Sequence, residues 1–123
     1  MYHDSVAFEG RDLAVLEEVR KRCLAYPETV EVEQFGHPWF KAGKRPFCIV
    51  SCRPALTIAF TADKMDQAAI CQMDHFRPTP YMHQHGWVTY DVPDDVDWDL
   101  VGELLESGYR KVALARMIKK LEE

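Results

Sequence analysis

No stretch of this chain approaches the ~20 consecutive apolar residues that a membrane span needs, so no membrane-embedded segment is expected. The amino-terminal MYHDSVAFEGRD has neither a basic n-region nor an apolar h-region. No secretory leader is therefore expected, and a cytoplasmic location is the reading that follows. No C-x-x-C pair is present among Cys23, Cys48, Cys52 and Cys71. If Cys48 and Cys52 share a strand they lie about 13 Å apart, too far for a disulfide, so four reduced thiols are expected. There is no G-x-G-x-x-G and no Walker loop, and Ser5, Ser51 and Ser107 sit in no G-x-S-x-G setting. Those absences remove the common routes to nucleotide binding and serine hydrolysis, and no cofactor is expected. Acidic residues are missing altogether from residues 34–62, although the formal net charge of the 123-residue chain is −5.

What is present describes one ordinary domain spanning 1–123. Apolar residues make up 47% and charged residues 28%, enough for a packed core and too little charge for disorder. There are no repeats and no linker-like segments. Charge is distributed in three blocks. Residues 1–33 carry eight acids against four bases, residues 34–90 three against six, and residues 91–123 nine against five. An acidic protein with a basic middle can still offer one face to phosphate.

Hydrophobic periodicity sets the elements. RDLAVLEEVRKRCLAYP places Leu13, Leu16, Val19, Cys23 and Leu24 on one helical stripe that stops at Pro27. TVEVEQF alternates as a half-buried strand. HPWFKAGKRPFCIVSC splits into two apolar runs around Ala-Gly-Lys-Arg, a hairpin signal, and Arg53-Pro54 marks another turn before LTIAFT. Asp63 is a candidate cap for a short helix, DKMDQAAICQM. Tyr81 to Val92 reads as a strand or strand pair with Val88, Tyr90 and Val92 inward. Asp94, Asp95, Asp97 and Asp99 read as a helix-opening cluster, with Asp97 the cap. The last helix presents Trp98, Val101, Leu105, Tyr109 and Val112, and Gly108 predicts a kink or a close approach. The expected fold class is α+β: a two-layer sandwich, α-β3-α-β2-α, with an antiparallel sheet covered by helices on one face and open on the other.

VEQFGHPWFKAGKRPFCIV at 32–50, PYMHQHGWVTYDV at 80–92 and DWDLVGELLESGYRKVAL at 97–114 resemble, in that order, the MmcQ/YjbR family. The resemblance implies the same α-β3-α-β2-α sandwich, akin to the secretion-chaperone and frataxin-like architecture. It also implies DNA binding through wing-like hairpins and no established enzymatic activity. The wing here would be Trp39 to Phe47, and Gly86–Trp87 would match the second signature.

Two kinds of site follow from the residues. In the first, Lys41, Lys44, Arg45 and Arg53 contact DNA phosphates while Trp39 and Trp87 offer stacking or wedge surfaces. Binding of this kind would be weak and salt-sensitive. In the second, His37, Trp39, His83, His85 and Trp87 converge near HPWF and MHQHGW to hold a small ligand or a partner protein. His83 and His85 would share a side if extended, as a metal pair needs. Nothing in the spacing of His37, His75 or the cysteines completes such a set, so no metal is expected. No catalytic motif is seen, and a monomer or weak dimer is expected.

Overall fold

The computed structural model describes residues 8–123, so part of the amino-terminal stretch considered for a leader lies outside the described residues. The chain runs α1 (Gly10–Leu24), β1 (Thr29–Gln34), β2 (His37–Ala42), β3 (Arg45–Ser51), β4 (Thr57–Thr61), α2 (Lys64–Ile70), β5 (Phe76–Pro78), a 3-10 turn (His83–His85), β6 (Trp87–Asp91), α3 (Trp98–Val112) and α4 (Ala115–Leu121). The strands form one six-stranded sheet in the order β1-β2-β3-β4-β6-β5, every neighbouring pair antiparallel. This is the expected α+β sandwich with an antiparallel sheet. It carries four strands before α2 rather than three, and a short fourth helix closes the described chain. Among the described residues no helix is long and apolar enough to cross a membrane.

TVEVEQF and the first run of HPWFKAGKRPFCIVSC form β1 and β2, which meet at the turn Phe35-Gly36. Gln34 pairs with His37, leaving a two-residue loop with φ of +53° and +80°, both left-handed as a tight hairpin demands. Phenylalanine is a poor occupant of that region, so the sequence carries only half of the turn signal.

Cross-strand register sorts the side chains onto two faces. Phe40, Cys48, Phe60 and Val88 lie in one row, and Val50, Ile58, Tyr90 and Phe76 in the next. All are buried against Leu16, Val19 and Cys23 of α1 and Val101, Leu105 and Tyr109 of α3. None of the four cysteines forms a disulfide. The opposite, uncovered face carries the row Val32, Trp39, Ile49, Ala59 and Thr89.

Several local expectations change. Leu13 and Leu24 are 39% and 44% exposed, because they lie roughly 110° round the helix from the face made by Val15, Leu16, Val19 and Cys23. Asp63 occupies the cap position of α2 without a side-chain cap bond; its carbonyl accepts from Asp66 and Gln67 instead. Asp97 does cap α3, its Oδ1 accepting from Leu100 N at 3.1 Å. Residues 81–86 are not a strand. Tyr81 has φ +67° and Gly86 φ +89°, so the chain coils through the 3-10 turn and β6 begins at Trp87. Val88 and Tyr90 face inward as expected and are buried, while Val92 lies past the strand end and is half-buried.

Helix α3 is continuous through Gly108. A Cβ at Gly108 would stand 2.8 Å from the Thr61 carbonyl oxygen. The glycine therefore marks close packing of helix on strand, with no kink.

Candidate functional site

The hairpin between β2 and β3 turns at Gly43-Lys44. Its tip is tethered by Gly43 N donating to Glu28 O at 2.9 Å, and Lys44 and Arg45 stand exposed there. Across from them lie the end of β4 at Thr61, the first residue of α2 (Lys64), the turn residues Gln84 and His85, Trp87, and Lys111 on α3. Together they enclose a cavity of about 550 Å³, within the size range of small-ligand sites. Lys44, Arg45, Lys64 and Lys111 line it, and no Asp or Glu does.

Lys111 organises the wall. Its Nζ donates to Thr61 Oγ1 at 2.9 Å, Ala62 O at 2.6 Å and His85 O at 2.9 Å. All three acceptors are neutral oxygens, so the ammonium is solvated by the protein without being neutralised. Burial holds its pKa below the usual lysine value; Asp63 opposes that shift and Arg45 adds to it. The close approach needs Gly86. A Cβ there would overlap Ala62 O and come within 3.1 Å of Lys111 Nζ. The 83–87 turn is held on its other side by Gln67, whose Nε2 donates to His83 O and Trp87 O, both at 2.9 Å. The turn is therefore stitched to α2 and α3 at once.

The structure brings Lys44, Arg45, His85 and Trp87 to one place and sends the other candidates elsewhere. Trp87 is only 5% exposed, so it forms wall and offers no stacking platform. His37, Trp39 and Lys41 alternate with the buried Pro38, Phe40 and Ala42 and so lie on the uncovered sheet face. Trp39 is three strand spacings from Trp87, about 14 Å. Phe35, 81% exposed, leans on Trp39 with ring centroids 6.0 Å apart. Arg53 follows the far end of β3, roughly 20 Å from the hairpin tip. His83 opens the turn, exposed and outside the cavity lining. In a 3-10 turn the His83 and His85 rings do not share a side as an extended pair would. Among the described residues no group of three or more His, Cys, Asp and Glu side chains gathers as a metal site.

Lys64 and Lys111 were not singled out by the sequence. Each sits among acids in the chain, Lys64 between Asp63 and Asp66 and Lys111 in the acidic final block. Those acids line other cavities: Asp63, Glu103 and Glu106 an adjacent one of about 470 Å³ on the other side of Lys111, and Asp66 another.

No curated protein matches the chain significantly. Among solved structures, the chain is similar to the crystal structure of Deinococcus radiodurans protein DR2400, described by the domain DUF419. The TM-score is 0.72, with 22% identity over 87% of each chain, a likeness that extends to the fold. The YjbR family model matches residues 24–111. The match runs from the end of α1 through all six strands to Lys111 and takes in every residue lining the basic cavity except Val112. This chain belongs to the YjbR family.

Proposed function

We propose that this protein is a binding module, not an enzyme, and that the basic cavity at the hairpin end of its sheet holds the phosphate of a small ligand. One observation carries the reading: four cationic side chains line one cavity that no carboxylate lines. Like charges that line one space repel, Asp63 beyond Lys111 offsetting only part of it, and an anion among them relieves that repulsion. Lys44 and Lys64 would present ammonium donors and Arg45 a planar fork suited to two phosphate oxygens at once. Lys111 has spent its donors on the protein and supplies charge alone. The lining contains neither carboxylate nor thiol, so positive charge and donors are what it has to offer.

The surroundings favour a compact anion over an extended one. Asp63, Glu103 and Glu106 border the cavity beyond Lys111, and Glu28 lies beyond the Lys44–Arg45 ridge. With a net charge of −5, a duplex laid across this end would meet repulsion on either side of a small positive island. DNA binding, the first expectation from the sequence, becomes the second reading, favoured by the exposure of Lys44 and Arg45 at the hairpin tip. On that reading Lys44, Arg45 and Lys64 make three phosphate contacts. Log affinity against log salt then falls with a slope near −2.7, at about −0.9 per contact.

Titration of 15N-labelled protein with inorganic phosphate and pyrophosphate tests the proposal. Saturable shifts are expected at the hairpin tip, Lys64 and the 83–87 turn. Lys44→Gln with Arg45→Gln should weaken binding by at least about tenfold, since charged hydrogen bonds are worth roughly 1.5–3 kcal/mol each. Duplex binding with a slope near −2.7, in the absence of any saturable phosphate site, would replace the first reading by the second.

A further inference from the structure

Lys44 and Arg45 form a ridge with a cavity on each side. Beyond the basic one lies a second, of about 570 Å³, more enclosed and with mostly apolar walls. Ala42, Val112, Leu114 and Met117 provide those walls. Apart from the ridge residues Lys44 and Arg45, its charged members are Glu28 and Arg116, which are paired with each other at 2.8 Å and so leave little field for an ion. The two cavities share Lys44, Arg45 and Val112 and therefore adjoin at the ridge. Leu114 is 48% exposed at the start of α4, an apolar surface that a ligand body would cover.

We infer that the ligand is an amphipathic phosphate monoester. Its phosphate sits among Lys44, Arg45 and Lys64, and its apolar chain or ring crosses Val112 into the cavity walled by Leu114 and Met117. This rests on the phosphate reading above and adds the class of molecule to it. Charge and apolar surface lie side by side here, and neither a bare inorganic ion nor a neutral lipid would use both.

The test is a calorimetric series run with inorganic phosphate and with methyl, butyl, hexyl and phenyl phosphate. Affinity should rise along the alkyl series, by up to about fourfold for each methylene fully buried, and hexyl phosphate should bind at least tenfold tighter than methyl phosphate. Leu114→Ser, at the half-exposed N-cap of α4 where serine is a favoured residue, should shrink that gain. If inorganic phosphate binds and the longer esters bind no tighter, the inference falls while the phosphate reading stands. If neither phosphate nor ester binds, both fall. Co-sedimentation with phosphatidylcholine vesicles, with and without phosphatidic acid, separates the two sources of such a headgroup. Sedimentation that needs phosphatidic acid and is lost with Lys44→Gln and Arg45→Gln assigns a lipid. Ester binding without sedimentation assigns a soluble monoester.

Discussion

Alanine at Gly108 should lower the melting temperature, while alanine at Gly102, six residues earlier in the same helix, should raise it. In an unobstructed helix interior, Gly→Ala gains about 1 kcal/mol. At Gly108 the new Cβ meets the Thr61 carbonyl at 2.8 Å, with Thr61 Cγ2 at 3.6 Å and Phe47 O at 3.7 Å. The nearest obstacle is backbone at the end of a central strand, paired with Trp87 of β6, and cannot rotate away. The helix must lift instead, and it is fastened on both sides. Tyr109 is buried edge-on to Phe47 with centroids 5.5 Å apart, and Lys111 is bonded to β4 and the 83–87 turn. Overpacking of this kind costs about 1–3 kcal/mol, and backbone on backbone belongs near the top of that range. The net loss is about 1–2 kcal/mol, or about 4–8 °C for a domain of 123 residues. At Gly102 the Cβ meets only Arg22 Nη1, at 2.8 Å. That is the tip of a long side chain whose Nη1 makes a 3.4 Å bond to Trp98 O beside the Trp98 ring, 5.2 Å away, and whose Nε donates to Glu18 Oε2 at 2.6 Å, a part-exposed pair within α1 that can move with it. Arg22 can swing aside, so about 0.5–1 kcal/mol of the propensity gain survives, raising the melt by about 2–4 °C. Thermal unfolding of both variants by circular dichroism decides the matter. If Gly108→Ala melts at or above the parent, the close approach of α3 to β4 is not what demands glycine there.

Tyr90→Ala should cost about 3–5 kcal/mol in urea unfolding, because the ring is buried, stacks on Phe76 at 4.6 Å and its hydroxyl accepts from Asp97 N at 3.5 Å; a melt within a degree or two of the parent would refute its inward facing. Stability should fall above about pH 10. Burial raises the phenol pKa of Tyr26, Cys23 adding to it, and burial with Glu28 raises that of Tyr109. The native state then holds phenolic protons that the unfolded chain releases near 10, so this stability is complete below that pH and is lost as pH climbs through the raised native values. Tyr109→Phe removes the 2.7 Å bond to Pro27 O, at a cost of about 1 kcal/mol near neutral pH, and should flatten the alkaline decline in unfolding titrations run at a series of pH values. Lys111→Met should cost about 1 kcal/mol, a charged bond discounted for its exposure, and should shift the amide resonances of residues 83–87, which a purely local effect on α3 would leave in place.

Features written into adjacent residues were legible in the chain; those made by distant contacts were not. Period-two alternation placed Val88 and Tyr90 inward, and Asp97 ahead of an amphipathic run announced a cap that forms. The hairpin at Gly43-Lys44 was visible because glycine and charge interrupt two apolar runs. At Phe35-Gly36 the break between strands was legible but the two-residue turn only half so, because an aromatic residue occupies its first left-handed position. The coil at 81–86 was hidden altogether, for a different reason. Gly86 is left-handed to bring its carbonyl onto Ala62 N at 3.1 Å, a contact twenty-four residues away that alternation in MHQHGWVTYDV cannot register. The site divides in the same way. The acid-free run pointed to Lys44 and Arg45. It pointed equally to Lys41 and Arg53, which strand alternation and strand length carry to another face and another end.

The same packing that fixes the helix also charges the cavity. Thr61 touches α3 at Gly108 through its carbonyl, and Lys111, one turn further along α3, reaches back to Thr61 Oγ1 and Ala62 O. Gly86 removes the side chain that would otherwise stand between Ala62 and the turn, and His85 O closes the set. A cation drawn from an acidic helix is thus held against a strand end by three neutral oxygens, facing Lys44, Arg45 and Lys64 across open space. Burying part of that charge is unfavourable for the empty protein, Arg45 adding to the cost and Asp63 offsetting some of it, and the Lys111 pKa is depressed accordingly. An anion in the cavity reverses that term, since its charge favours the protonated amine. Ligand binding and the protonation of Lys111 are then linked, and phosphate should raise the Lys111 pKa by the same free energy with which the charge of Lys111 favours phosphate.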